Sequence, residues 1–285
     1  MISHFIEGLM KYEFLQYALI TSVIVGIVSG VIGSFIILRA MSLMGDAISH
    51  AVLPGVAMSY MLGANYMIGA SLFGILAAGL IGFVTQKSKL KNDTAIGIVF
   101  SSFLALGIIM ISLAESSTDL YHILFGNVLA VRPSDMYTTL GVAVVVILFV
   151  IIFYKELLVS SFDPTMAKAY GLKVQVIHYA LMFFLTLVAV SSLQTVGTIL
   201  VVAMLITPAA TAFLLTDKLS VMIVIASSIG VISAVIGLLF SYTYNLASGA
   251  TIVLTTVVFF IIAFIFSPKQ GFIFKRKEDL INEED

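Results

Sequence analysis

Apolar runs recur along the chain at 15–38, 46–62, 66–86, 94–114, 136–154, 174–193, 195–215, 219–243 and 249–267, separated by short polar breaks. At about 1.5 Å per residue, runs of roughly 20 residues cross a hydrocarbon layer about 30 Å thick; the second run is the shortest and only just suffices. The pattern predicts an all-α polytopic membrane protein with about nine transmembrane helices, or eight if 46–62 enters the bilayer without crossing it. A single transmembrane domain over 1–268 follows, with a charged tail at 269–285. Within the first run, Ser22, Gly26, Gly30 and Ser34 repeat at four-residue intervals. A stripe of small residues lets a second helix approach closely, so this face is expected to serve packing.

Composition sharpens the reading. With 61% hydrophobic and 10% charged residues, the chain falls far short of the roughly 25% charged residues of soluble domains. The absence of Cys excludes disulfides, thiolate metal sites and iron–sulfur clusters and leaves imidazole, carboxylate and thioether ligands. A net charge of −1 says little by itself, and no nucleic acid is expected as a partner. Basic residues set the orientation, because Lys and Arg are retained on the cytoplasmic side. With the Lys275-Arg276-Lys277 cluster inside, nine spans place the N-terminus outside, and of fourteen basic residues only Lys11 and Arg132 face outward. The opening segment MISHFIEGLMKYEF lacks a basic n-region and is interrupted by Glu7 and Glu13, which predicts an interfacial segment rather than a signal peptide.

Ionisable groups inside such a chain are the candidates for chemistry. Asp46 and His50 stand four apart, on one face of a helix, where a carboxylate and an imidazole can address one cation. His50 lies twelve residues, about 18 Å, inward of Leu62, near the midplane, with Asp46 a further turn inward. Charges at this depth normally face a bundle interior or an aqueous cavity and mark an ion path. A plainer role for Asp46 is to cap the second helix, which would leave His50 unexplained. Pro54 removes the amide that would bond the His50 carbonyl, so a kink is expected there, eased by Gly55. Interrupted helices at mid-depth are how transporters build binding sites. The stretch 117–131 is too short to cross and reads as a short amphipathic or re-entrant helix, either a lid or simple packing, with His122 a weak second metal candidate. His4 and His178 have no partner in sequence and are read as structural.

A second constellation lies between the fifth and sixth runs. Asp163 suits an N-cap, Pro164 the first helical position and Gly171 the left-handed residue after the last turn, so 163–171 is a short helix written in its caps. Met166, Ala167 and Tyr170 are predicted to form an apolar face, suited either to a groove on a cytoplasmic partner or to the membrane surface. No Walker A, GxSxG or HExxH pattern is present, so ATP, if it drives this protein, binds another chain.

Three stretches, ILRAMSLMGDAISHAVLPGVA (37–57), SFDPTMAKAYGL (161–172) and TVGTILVVAMLITPAATA (195–212), closely resemble the permease subunit of the manganese/zinc/iron ABC importers, and are most similar to the manganese-type members. The resemblance implies a type II ABC importer fold similar to the vitamin B12 importer permease. It implies a homodimer in the bacterial plasma membrane, two cytoplasmic ABC ATPase subunits and an extracytoplasmic metal-binding lipoprotein. It also implies that Asp163 to Gly171 is the coupling helix that docks on the ATPase, and that Asp46 and His50 contact the metal in transit. No cofactor is expected in this chain, which is a transport subunit rather than an enzyme. The transported ion would be Mn²⁺, with Zn²⁺ or Fe²⁺ as alternatives. Two other readings compete: an ion-coupled secondary transporter using Asp46 and His50 as a proton or metal relay, and an intramembrane metalloenzyme, for which no spacing supplies a catalytic base.

Overall fold

A computed structural model describes residues 2–113 and 128–267. These residues form helices α1 (Ile2–Lys11), α2 (Glu13–Leu38), α3 (Leu43–Ala51), α4 (Leu53–Met61), α5 (Tyr66–Lys87), α6 (Asn92–Leu113), α7 (Pro133–Ile152), α8 (Tyr154–Phe162), α9 (Pro164–Ala169), α10 (Val174–Val196), α11 (Thr198–Leu215), α12 (Leu219–Tyr244) and α13 (Ser248–Phe266). A one-turn 3-10 helix at Val128–Ala130 precedes α7, and Val128 is buried. The short helix expected at 117–131, lid or simple packing, otherwise falls outside the described residues, as do His122 and the charged tail at 269–285.

Among the described residues eight helices, α2, α5, α6, α7 and α10 to α13, are long and apolar enough to cross a membrane. They match eight of the nine predicted runs. The ninth, 46–62, is not one span but two half-helices, α3 and α4, meeting at Val52. Together they cover Leu43 to Met61, about 28 Å of helix at 1.5 Å per residue, close to a bilayer core. The break falls two residues before the proline at which the kink was expected, and Pro54 sits in the first turn of α4. A proline disfavours helical geometry in the residue before it and withholds an amide from the turn behind it, so the interruption lies on its N-terminal side.

The core is organised around α2, which packs against α7, α10, α11 and α12. Its small-residue stripe does what was expected of it. A Cβ placed on Gly26 would lie 2.8 Å from the carbonyl carbon of Gly230, and one on Gly30 would lie 2.7 Å from the Ser227 Cα, so α2 and α12 touch backbone to backbone. The Ser227 hydroxyl donates to the Ile27 carbonyl across this contact at 3.2 Å. In lipid, where every tail is as apolar as leucine, such close packing and interhelical hydrogen bonds replace the hydrophobic effect as the source of helix association.

The N-terminal helix α1 lies against α12, with Phe5 buried and the His4 ring 5.4 Å from that of Tyr242. That is a packing role for His4. At the far side, α10 and α11 are joined by the single residue Gly197, whose φ of 83° is open to glycine and costly for other residues.

Candidate functional site

Helix α3 begins after a tight turn. The last turn of α2 closes with the Met41 amide donating to the Ile36 carbonyl (3.0 Å) and the Ala40 amide to Ile37 (3.1 Å), a Schellman arrangement with Ala40 in the left-handed region at φ 51°. Three residues later α3 starts, flanked by Ser42, so Asp46 lies inside the first turn and does not cap the helix. Met44, Gly45, Ala47, Ile48, Ser49 and Ala51 are all buried. Leu43, Asp46 and His50, spaced i, i+3 and i+7, form the open face, the two ionisable side chains retaining 44% and 30% of their exposure.

Neighbouring helices fix that orientation. Gly45 faces Leu205 of α11, whose Cδ1 would lie 3.3 Å from a Cβ there, and Gly74 of α5 makes room for the side chains of Ile48 and Val52. Phe100 of α6 meets the His50 imidazole edge to face at 5.5 Å between ring centres. Gly107 of α6 receives Leu53 and Pro54, and Gly55 of α4 lies directly on the Gly69 backbone of α5. The half-helices are thus clamped on both sides of their break, and Pro54 and Gly55 act in that clamp rather than as donors to an ion.

The Asp46 Oδ1 and His50 Nε2 atoms are 3.5 Å apart. With metal–donor distances of about 2.1 Å, a cation held by both would subtend roughly 110° between them, an angle that tetrahedral and distorted octahedral ions accept. A carboxylate oxygen and an imidazole nitrogen suit borderline and hard divalent ions. Among the described residues no group of three or more acidic or imidazole side chains is assembled, and Asp46 and His50 stand as a pair.

The helix predicted over 163–171 is present as α9. The Asp163 carboxylate accepts from the Thr165 and Met166 amides, both at 2.9 Å, Pro164 opens the helix, and Gly171 adopts φ 80°. Its end is another Schellman turn, with the Leu172 amide donating to Ala167 and the Gly171 amide to Lys168. One expectation needs correcting. Ala167 is fully buried and faces the protein, so Met166 and Tyr170, both well exposed, carry the outward apolar surface without it. A six-residue helix has less than two turns, and the side that seats it on its neighbours α8 and α10 cannot also face a partner.

The ABC 3 transport family profile matches residues 11–267. The chain belongs to the ABC 3 transport family. It is 72% identical over 277 residues to the manganese transport system membrane protein MntC of Listeria monocytogenes, covering 97% of this chain and 99% of that one. Its identity to the manganese import system permease protein ScaB of Streptococcus gordonii is 57%, with the same coverage. The solved structure of PsaBC from Streptococcus pneumoniae in complex with Fab superposes with a TM-score of 0.86 at 58% identity, over 95% of this chain and 98% of that one.

In this ABC 3 chain, the two constellations read from sequence are separate: Asp46 and His50 share the open face of α3, and Asp163, Pro164, Met166, Tyr170 and Gly171 shape α9. Sequence reasoning missed what lies between them. Arg39, counted there only as an inward charge, donates through Nη2 to the Ser160 hydroxyl at 2.7 Å and through Nε to the Ser161 hydroxyl at 3.0 Å, on α8. Burial pushes its pKa down to about 10, so it remains a cation at neutral pH. A lone Arg at the end of a long apolar run, with a Ser-Ser pair ahead of the Asp-Pro cap, was the available signal.

Proposed function

We propose that this chain is the membrane permease of an ATP-driven importer of divalent transition metal ions, with Mn²⁺ as its cargo. The observation that carries the reading is the open face of α3. In a chain with 10% charged residues, a carboxylate and an imidazole are held 3.5 Å apart on an interrupted helix amid buried apolar neighbours. The names of the ABC 3 relatives support manganese, and the donor pair suits it. Two copies of the chain, each contributing Asp46 and His50, would give a four-donor oxygen and nitrogen site on their shared axis. The pair alone binds Zn²⁺ more tightly than Mn²⁺ by the Irving–Williams order, so selectivity rests on geometry and on the extracytoplasmic lipoprotein that delivers the ion. The positive-inside rule supports a cytoplasmic side bearing Arg39, Lys87, Lys89, Lys91, Lys155, Lys168, Lys173 and Lys218, with α9 on that side as the coupling helix for two ATPase subunits.

In this mechanism the ion passes from the lipoprotein to the Asp46 and His50 pair and rests there. It leaves inward when the ATPase cycle displaces α9. The ion-coupled relay considered from sequence is not supported, since the chain belongs to an ABC family. Asp46→Ala and His50→Ala are expected to abolish cellular manganese accumulation while the permease still assembles with its ATPase. Normal accumulation in both variants would remove the site assignment, and a wild-type chain that, returned to cells deleted for it, restores zinc or iron content but not manganese would remove manganese as cargo.

A further inference from the structure

Arg39 joins two parts of the molecule that transport must coordinate. It is the first residue beyond α2, seven positions before Asp46, and its guanidinium is held against α8 immediately ahead of the Asp163 cap. The serine hydroxyls are set to receive it: Ser161 donates its own proton to the Leu157 carbonyl at 2.7 Å and Ser160 donates to the same carbonyl at 3.2 Å, leaving oxygen lone pairs for the two N–H groups. Ser160 is buried, and no carboxylate pairs with Arg39 among the described residues. A half-buried cation held by two neutral hydroxyls is a poor device for stability, since the partial desolvation of the charge is not offset by an ion pair. Two charge-assisted hydrogen bonds in a fixed fork do, however, fix position and direction.

The connection from Arg39 to the site is short and stiff. Ala40 occupies the left-handed region, which an alanine adopts only when its surroundings impose it, Met41 is buried, and the Met41 carbonyl accepts from the Met44 amide at 2.9 Å as α3 begins. On the other side, α8 ends at Phe162 and Asp163 caps α9.

We propose that Arg39 is a positioning residue that locks the start of α3 to the segment ahead of α9, so that a displacement of α9 moves Asp46 and His50 and converts ATPase work into ion release. This rests on the reading of α3 as the transit site and α9 as the coupling helix. Arg39 touches neither the ion nor the partner; it carries motion between them.

The test uses the permease assembled with its ATPase in proteoliposomes, with Mn²⁺ uptake, ATP hydrolysis and Mn²⁺ binding measured on each preparation. Arg39→Gln is expected to leave ATP hydrolysis and Mn²⁺ binding within twofold of the unsubstituted complex and to lower uptake at least tenfold, raising ATP consumed per ion by the same factor. The Ser160→Ala/Ser161→Ala double variant should shift that ratio in the same direction, and Arg39→Lys, which keeps the charge but not the fork, should fall between. Uptake within twofold in Arg39→Gln overturns the proposal. So does a parallel loss of hydrolysis and uptake, which would make Arg39 a support for α9 alone. If Arg39→Gln does not assemble, the double serine variant decides on the same readouts. Asp46→Ala in the same preparations separates the two readings: loss of Mn²⁺ binding with hydrolysis retained upholds the transit site whatever Arg39→Gln does, and normal uptake there removes the site itself.

Discussion

Removing the cap of α9 offers a quantitative test of its role. The helix has six residues, too few to persist alone in water, so its population depends on its ends and on the seat of Ala167. Asp163→Ala deletes the acceptor of two amide hydrogen bonds, both 2.9 Å long, at a cost of about 1 kcal/mol. At the other end Gly171 has φ 80° and nothing within 4 Å of a Cβ position, so Gly171→Ala introduces no clash. It adds only the backbone penalty of a left-handed alanine, about 1 kcal/mol. The two ends share no partner, so the costs should add. About 2 kcal/mol corresponds to roughly thirtyfold in the helical population, and about 1 kcal/mol to roughly fivefold. Affinity of the purified ATPase for the permease in nanodiscs should therefore weaken by about these factors for the double and single variants. Asp163→Asn, which keeps an acceptor oxygen, should stay close to the unsubstituted protein. Because α9 is a six-residue helix, its caps contribute little to the packing of the long helices, and the thermal midpoint of the permease should hardly move. An ATPase affinity unchanged within twofold in the double variant would refute the argument, since the capped helix would then not be what the partner binds.

Two further outcomes test the packing. Gly26→Val forces a side chain into the Gly230 backbone and should destabilise the α2–α12 crossing by about 1–3 kcal/mol, read as a lower unfolding midpoint in detergent; Gly141→Ala, with open space at its Cβ, is the control expected to leave it unchanged. Ala40→Gly releases a left-handed alanine at φ 51° and should stabilise the permease by up to about 1 kcal/mol, seen as a rise in the same midpoint, whereas a fall would show that Ala40 is not strained.

Much of this protein is local and was therefore legible. Span positions follow from runs of apolar residues, because a bilayer demands internally satisfied backbone over a fixed length. Asp163, Pro164 and Gly171 announced α9 because caps act through covalent geometry and the nearest amides. Asp46 and His50 were found by spacing alone, since residues four apart on a helix share a face wherever that helix lies. Composition independently excluded a soluble fold, since the charged share is far too low.

Tertiary structure decided the rest. That the Gly26 and Gly30 stripe meets α12, about two hundred residues later, that Ala167 turns inward, that α3 opens only along Leu43, Asp46 and His50, and that Arg39 reaches hydroxyls 121 and 122 positions away were not written in any window of the chain. The physical reason is the solvent. In water an apolar stripe reveals which face of a helix is buried; in lipid every face is apolar, and which one meets protein depends on small-residue fit and a few long-range hydrogen bonds that only the assembled bundle brings together.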